Sequence, residues 1–296
     1  MPILTVENLS KFYGPVHALK NVSFSVPEGT VFGILGPNGS GKTTTLGTIT
    51  DILKPTSGSY RLFDEPASAA SRRRIGSLLE TPNFYHYLSG KKNLEIAAAI
   101  KQHGKEDIDR VLETVDLTQR KNSKFSTYSL GMKQRLAIAS CLLGNPNVLI
   151  FDEPTNGLDP VGIAEIRELM KELHHQGKTI IMASHLLDEV EKVCTHVAIL
   201  KNGELITSGK VNEILSGEDI IEVAASDNKK LFEILLKMNA GIKVIDESPA
   251  IKIFFPPGKA DLAVVNSYCF NNGIILNHLM LKRKSLEARF FELTNN

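Results

Sequence analysis

The sequence predicts an α/β fold: a mostly parallel sheet flanked by helices, an antiparallel sheet ahead of it, a helical subdomain at about 84–143, and a small α+β domain behind. Three observations predict it. Short apolar runs such as Val148 to Phe151 and Val197 to Leu200 alternate with stretches of helical spacing, the pattern of buried strands joined by crossover helices. A glycine-rich loop lies between the apolar run Val31 to Leu35 and a helical stretch. After Gly217 the pattern shifts to short strands and helices without another such loop. The expected domains are therefore 1–217 and 218–296.

Taken in order, residues 3–9 and 19–26 read as strands joined by a polar turn around Tyr13-Gly14-Pro15. Val31 to Leu35 reads as a buried strand and Thr43 to Leu53 as a helix. Ser59 to Phe63 completes an edge sheet after a turn at Pro55 to Gly58. Residues 93–100, 105–115 and 131–143 carry apolar side chains at helical spacing, with polar connecting sequence at 116–128. Strands follow at 148–151, 179–183 and 197–200, with helices at 162–174 and 186–192 between them. Lys201-Asn202-Gly203-Glu204 is a tight hairpin turn. The C-terminal region reads as strands near 220–224, 243–246, 251–254 and 274–280, and helices at 229–238, 262–271 and 285–293.

Bulk properties narrow the function classes. Apolar residues make up 42% and charged residues 23%, an ordinary globular composition. A formal net charge of +1 gives no global field to attract nucleic acid or an anionic lipid surface. The three cysteines, Cys141, Cys194 and Cys269, are widely spaced and read as buried free thiols in a reducing compartment. The start, Met-Pro-Ile-Leu-Thr-Val-Glu, has no basic-then-apolar leader pattern. No apolar run is long enough to span a bilayer.

The chemistry starts at Gly36-Pro37-Asn38-Gly39-Ser40-Gly41-Lys42-Thr43, followed by Thr44. Glycines at this spacing let backbone amides turn toward phosphate oxygens. Lys42 supplies a positive charge for the β- and γ-phosphates, and Thr43 a hydroxyl for Mg²⁺. The helix that begins here directs the positive end of its dipole at the anion. Alone, the loop says ATP or GTP. The second half of such a site is an apolar strand ending in carboxylates, and Val148 to Phe151 runs into Asp152-Glu153. Asp152 would hold Mg²⁺ through water, and Glu153 would orient or deprotonate the attacking water. Only one phosphate loop is present, so the chain carries one nucleotide site of this type.

With these residues in place, positions 3 to about 217 resemble the nucleotide-binding subunit of an ATP-binding cassette (ABC) transporter, with the motifs in the family's order. The resemblance implies the P-loop ABC ATPase fold, ATP and Mg²⁺ as nucleotide and cofactor, and several further roles. Tyr13 matches the aromatic residue that stacks on adenine. Tyr128-Ser129-Leu130-Gly131-Met132, continued by Lys133-Gln134-Arg135-Leu136, resembles the Leu-Ser-Gly-Gly-Gln motif, which binds the γ-phosphate held by an opposite subunit. Leu130 and Met132 depart from it, while Ser129 and Gly131 keep its most useful donors. Asn156-Gly157-Leu158-Asp159 resembles the loop that couples two sites across a dimer, and a plain capped turn is the other reading of Asp159. Ser184-His185 resembles the switch histidine that reaches the γ-phosphate and the water. Glu80 stands where the family has a glutamine contacting Mg²⁺ and the membrane partner.

Glu80, the following Phe84-Tyr85, and the C-terminal Ser285-Leu286-Glu287-Ala288-Arg289-Phe290-Phe291 resemble the exporter branch that includes bacitracin, lantibiotic and drug-resistance ATPases. This implies catalytic roles for Glu153, His185 and Lys42. It also implies a second copy of the chain sharing two ATP sites, and a separate membrane permease that keeps the chain at the cytoplasmic face of the membrane. No nucleic-acid partner is expected. The stretch 84–128, with Phe84, Tyr85 and Tyr87, is the expected docking surface, and plain core packing is the other reading of those aromatics. An importer ATPase, or a non-transport relative acting on a macromolecule, stays open as an alternative.

Overall fold

The computed structural model describes residues 1–79, 83–215, 219–238, 243–256, 258–282, Leu286 and Phe290. The chain divides into two compact units, Met1–Lys210 and Val211–Asn296.

The first unit opens with a hairpin, β1 (Pro2–Tyr13) and β2 (Val16–Pro27), followed by β3 (Val31–Leu35) and α1 (Lys42–Ile49). Next come β4 (Ser57–Leu62), β5 (Glu65–Pro66), α2 (Ala69–Arg72) and β6 (Ile75–Leu78). A helical stretch holds α3 (Gly90–Lys101), α4 (Ile108–Thr114) and α5 (Leu130–Leu142). The unit closes with β7 (Val148–Asp152), α6 (Pro160–His175), β8 (Thr179–Ser184), α7 (Leu187–Val193), β9 (His196–Lys201) and β10 (Glu204–Lys210).

Two sheets form. One is antiparallel, in the order β2-β1-β4-β5. The other has the order β10-β9-β3-β8-β7-β6 and is parallel except for the β9–β10 hairpin. Every residue of β3, β7 and β8 is buried. Their unbroken apolar runs have that cause: strands covered on both faces need apolar side chains on both. A shared core joins the two sheets and includes Leu4, Leu9, Leu19, Phe32, Ile34, Leu46, Ile150 and Ile181. Each such side chain contributes roughly 1.5–3 kcal/mol on burial.

The second unit comprises α8 (Val211–Leu215), β11 (Asp219–Ala225), α9 (Asn228–Leu235), β12 (Lys243–Glu247), β13 (Ala250–Phe255), α10 (Leu262–Asn271) and β14 (Leu276–Lys282). Its sheet is antiparallel, in the order β12-β13-β11-β14. Ile251, Ile253 and Phe255 alternate inward along β13 and meet Leu231 and Leu235 of α9 and Val265 and Cys269 of α10. A sheet with one face covered by helices produces this alternation.

Several boundaries differ from the sequence expectation. The break between units falls after Lys210 because β10 stays paired with β9 through Lys210↔His196. The first helix ends at Ile49, not Leu53. Thr50 returns its hydroxyl to Leu46 O, Asp51 turns left-handed at φ 65°, and Leu53 folds back to donate its N–H to Gly47 O. The polar connector at 116–128 contains short 3₁₀ turns at Thr118–Arg120 and Phe125–Thr127, with Phe125 buried. The expected terminal helix at 285–293 lies outside the described residues apart from Leu286 and Phe290.

All three cysteines are free and buried. Burial pushes the Cys141 thiol from 9.0 up to about 11, against an opposing influence from the Lys101 ammonium. An unfolded chain releases this proton near the ordinary value, whereas the folded chain keeps it until about 11. The unfolded state therefore binds fewer protons across that interval, and stability falls as pH rises through it. Cys141→Ala should flatten this part of the slope, read as the urea midpoint against pH.

Candidate active site

The parallel pairing puts three strand ends side by side. Leu35, the last residue of β3, lies opposite Ser184, the last of β8, and Ala183 lies opposite Asp152, the last of β7. The phosphate loop, the acidic pair and His185 therefore leave the sheet at one edge. Ligands of open α/β sheets bind at this carboxyl edge.

The loop is packed tightly at its entrance. Gly36 has φ 156°, and a Cβ there would stand 2.3 Å from Leu200 O and 2.4 Å from Ser40 Oγ. Only glycine lets the chain pass β9 this closely. Lys42 is the first residue of α1, and its side chain is 5% exposed. Its Nζ donates to Gly36 O at 2.9 Å and Pro37 O at 3.3 Å, and lies 3.4 Å from Glu153 Oε1.

The helix N-termini differ in capping, and α4 and α7, like α1, have no side-chain cap. The first turns of α3, α5 and α6 are capped by Ser89, Ser129 and Asp159. The first turn of α1 has Gly41 as N-cap and no side-chain cap. Its amides are left for an incoming anion, which the helix dipole also favours. Farther along α1, Thr45 and Thr48 return their hydroxyls to Gly41 O and Thr44 O. Thr43 and Thr44 line the cleft instead.

Glu153 is held in an uncommon conformation. Its φ is 48°, and its N–H donates to Ala183 O at 3.0 Å. A left-handed backbone at a non-glycine residue needs surrounding structure to hold it. The turn directs the carboxylate between two partners: Oε1 faces Lys42, and Oε2 lies 2.8 Å from His185 Nδ1. Asp152 is buried beside it. Lys42, Glu153 and His185, read separately from sequence, form one contiguous chain of polar contacts.

A cleft of about 670 Å³ opens over Lys42 and Glu153, whereas Asp152 and His185 are not part of its lining. Asn38, Gly39, Gly41, Lys42, Thr43, Thr44 and Glu153 form its floor, and Val16, His17, Ala18, Lys20 and Asn202 form the facing wall. Those wall residues carry no sequence signal as site residues, because β2 and the β9–β10 turn reach the loop only through tertiary packing. Tyr13 lies beyond the cleft lining. It is 43% exposed, pairs across the hairpin with Val16, and has Lys11 Nζ 5.1 Å over its ring.

Three other expected positions stand apart from the cleft. Ser129 caps α5 by accepting from Met132 N–H at 3.2 Å, which leaves its own O–H as a donor. Gly131 faces open space. Asp159 caps α6 by accepting from Gly162 N–H at 2.9 Å. None of these lines the cleft within its own chain. Glu80 lies outside the described residues.

The donor set fits a Mg–nucleotide. Among the described residues no group of three or more His, Cys, Asp or Glu side chains could hold a metal. A Mg²⁺ bound mainly through phosphates and water needs no such cage, and one or two protein oxygens complete its shell. Thr43 Oγ1 and the Asp152 carboxylate are the groups of the right chemistry.

Sequence comparison decides the family. A family profile described as ABC transporter matches residues 19–156. An ABC transporter ATP-binding protein of Bacillus subtilis (strain 168) is 38% identical, over 99% of this chain and 96% of the relative. The chain belongs to the ABC transporter ATP-binding proteins. This ABC protein is also 34% identical to the bacitracin transport ATP-binding protein of Enterococcus faecalis, over 98% of this chain and 96% of the relative. Identity to the lantibiotic transport ATP-binding protein of Streptococcus pyogenes is 37%, over 78% and 99%. Among solved structures, cbiO1 of Clostridium perfringens, part of an ABC transporter complex, superposes with TM-score 0.66 at 31% identity, covering 80% of this chain and 96% of that one. A dimeric ATP-binding cassette in a post-hydrolysis state with ADP and Pi gives TM-score 0.63 at 29% identity, covering 70% and 98%. The ABC ATPase fold and ATP-hydrolysing activity follow from this membership.

The ammonium of Lys42 has the densest set of polar contacts in the cleft. Lys42→Ala should weaken ATP binding by about one to two orders of magnitude, the loss of a charge-assisted contact to phosphate. Titration with a fluorescent ATP analogue reads this directly, with the melting temperature as the check on folding.

Proposed function

We propose that this chain is the ATPase subunit of an exporter. It would drive a drug, peptide antibiotic or lipid-like compound through a separate membrane subunit. The observation that carries the hydrolytic half is the Glu153 carboxylate, held between Lys42 at 3.4 Å and His185 at 2.8 Å at the end of the phosphate cleft. The likeness to the bacitracin relative supports the exporter half, because it extends over 98% of the chain and so includes the C-terminal unit.

In this reading the amides at the start of α1 and the loop backbone bind the phosphates. Lys42 shifts from the loop carbonyls to the β- and γ-phosphates. Glu153 takes a proton from the attacking water, and His185 holds that carboxylate in place and contacts the γ-phosphate. Thr43 and Asp152 hold Mg²⁺, which when bound neutralises phosphate charge. Tyr13 stacks on adenine after a side-chain rotation out of its contact with Lys11.

The separation of Ser129 and Gly131 from the cleft of their own chain supports a second copy. In a head-to-tail homodimer the Ser129 hydroxyl, the Gly131 amide and the uncapped remainder of that turn would face the partner's γ-phosphate, with Asp159 at the seam. The dimeric relative with ADP and Pi is a precedent for such pairing. ATP then acts as part of the interface, and hydrolysis loosens it.

No helix among the described residues is long and apolar enough to cross a membrane. The proposed docking surface is a groove of about 470 Å³ along α3, lined by Asn83, Phe84, Tyr85, His86, Asn93, Ile96, Ala97 and Ile100. The aromatics divide by role. Phe84 packs edge-on against buried Phe125 at 5.2 Å, whereas Tyr85 and Tyr87 are 49% and 69% exposed. Through its docked partner the chain would sit at the cytoplasmic face of the membrane.

Glu153→Gln should keep ATP affinity and lower the hydrolysis rate by about two orders of magnitude or more. With ATP it should accumulate as a dimer in size-exclusion chromatography. Hydrolysis at the parental rate would remove Glu153 from the base role. Replacing Tyr85 and Tyr87 together with Ala should leave the ATPase rate of the isolated chain unchanged and abolish co-purification with a membrane subunit, identified by mass spectrometry.

A further inference from the structure

We propose that Asn202, at the tip of the β9–β10 hairpin, is a nucleotide-binding residue that contacts the sugar–base half of ATP. The inference rests on the cleft being the ATP site. Asn202 lines that cleft together with Val16, His17 and Ala18. Its φ of 51°, followed by Gly203 at 82°, is the left-handed pair that a two-residue hairpin demands.

The turn is fastened to both sides of the cleft. Gly203 N–H donates to Ser40 O in the phosphate loop at 3.1 Å, and Lys20 N–H of β2 donates to Gly203 O at 2.8 Å. Lys20 Nζ also pairs with Glu204 Oε1 at 3.0 Å. A Cβ on Gly203 would stand 2.7 Å from Ala18 O, so the hairpin approaches β2 at backbone contact distance. Asn202 is thus presented from a fixed support, which a binding contact requires.

Strand order decides which end of the nucleotide it meets. β3, which delivers the phosphate loop, lies between β8 and β9. β8 and β7, on one side, bring His185 and Glu153 to the terminal-phosphate end. The β9–β10 turn lies on the other side, bonded to the strand whose hairpin carries Tyr13. The phosphates have the loop amides, α1 and Lys42. A carboxamide, which both donates and accepts, suits the hydroxyls and ring edge of a nucleoside.

The test is Asn202→Gly, because Gly-Gly supports the same turn and removes only the amide side chain. Binding of Mg–ATP and of Mg–tripolyphosphate, which lacks the nucleoside, is measured by calorimetry on the full chain alongside thermal melting. The expected result is ATP binding weakened roughly three- to tenfold, the range of a lost neutral hydrogen bond, with tripolyphosphate binding and melting temperature unchanged. Unchanged ATP binding overturns the proposal. So does equal weakening of both probes, which would make the turn only a prop for the phosphate loop. If the parent chain binds neither probe, the ATP-site reading itself fails and this proposal with it.

Discussion

The parallel pairing of three buried strands, β7, β8 and β3, is the constraint on which the rest depends. Its register sets Leu35 beside Ser184 and Asp152 beside Ala183. The residues immediately after those strand ends therefore emerge together, although Lys42, Glu153 and His185 are far apart in the chain. A one-residue shift would send every side chain to the opposite face and disrupt the close packing on both. The convergence of the candidate site residues at one sheet edge is thus a consequence of strand register.

Helix termini distribute the remaining tasks. At α3 the side chain of Ser89 satisfies a first-turn amide. At α1, α4 and α7 no side chain caps the first turn, and of these only α1 opens on the cleft. At α5 the Ser129 oxygen accepts from Met132 N–H while its proton remains available. The proposed trans contact to ATP needs no rearrangement of that helix start. Asp159 likewise caps α6 with one carboxylate oxygen, which leaves the other for the proposed dimer seam.

Much of the fold was legible because burial leaves a periodic trace. Unbroken apolar runs marked the strands at 31–35 and 148–151. The elements that escaped were short. β5 spans only Glu65–Pro66, and α2, Ala69–Arg72, owes its start to reciprocal hydrogen bonds between Ser68 and Ser71. Neither is long enough to set up a hydrophobic period. The C-terminus of α1 was misplaced because a back-bonded Thr50 and a left-handed Asp51 act locally, without a glycine or proline to announce them. The aromatic run 84–87 could be read either as packing or as surface, and the fold makes it both.

The sequence alone supplied the residue types of the cleft floor, because the glycine spacing, Lys42, Thr43 and Glu153 belong to short local motifs whose proposed roles follow from residue type. Tertiary structure decided how those groups act on one another. It alone turned Glu153 left-handed, by a hydrogen bond to Ala183 on the neighbouring strand, and so put its carboxylate between Lys42 and His185. It alone brought β2 and the Asn202-Gly203 turn against the phosphate loop as the far wall of the cleft. Both are contacts between segments distant in the chain, made through backbone amides and carbonyls, which every residue possesses and which therefore leave no mark in the sequence.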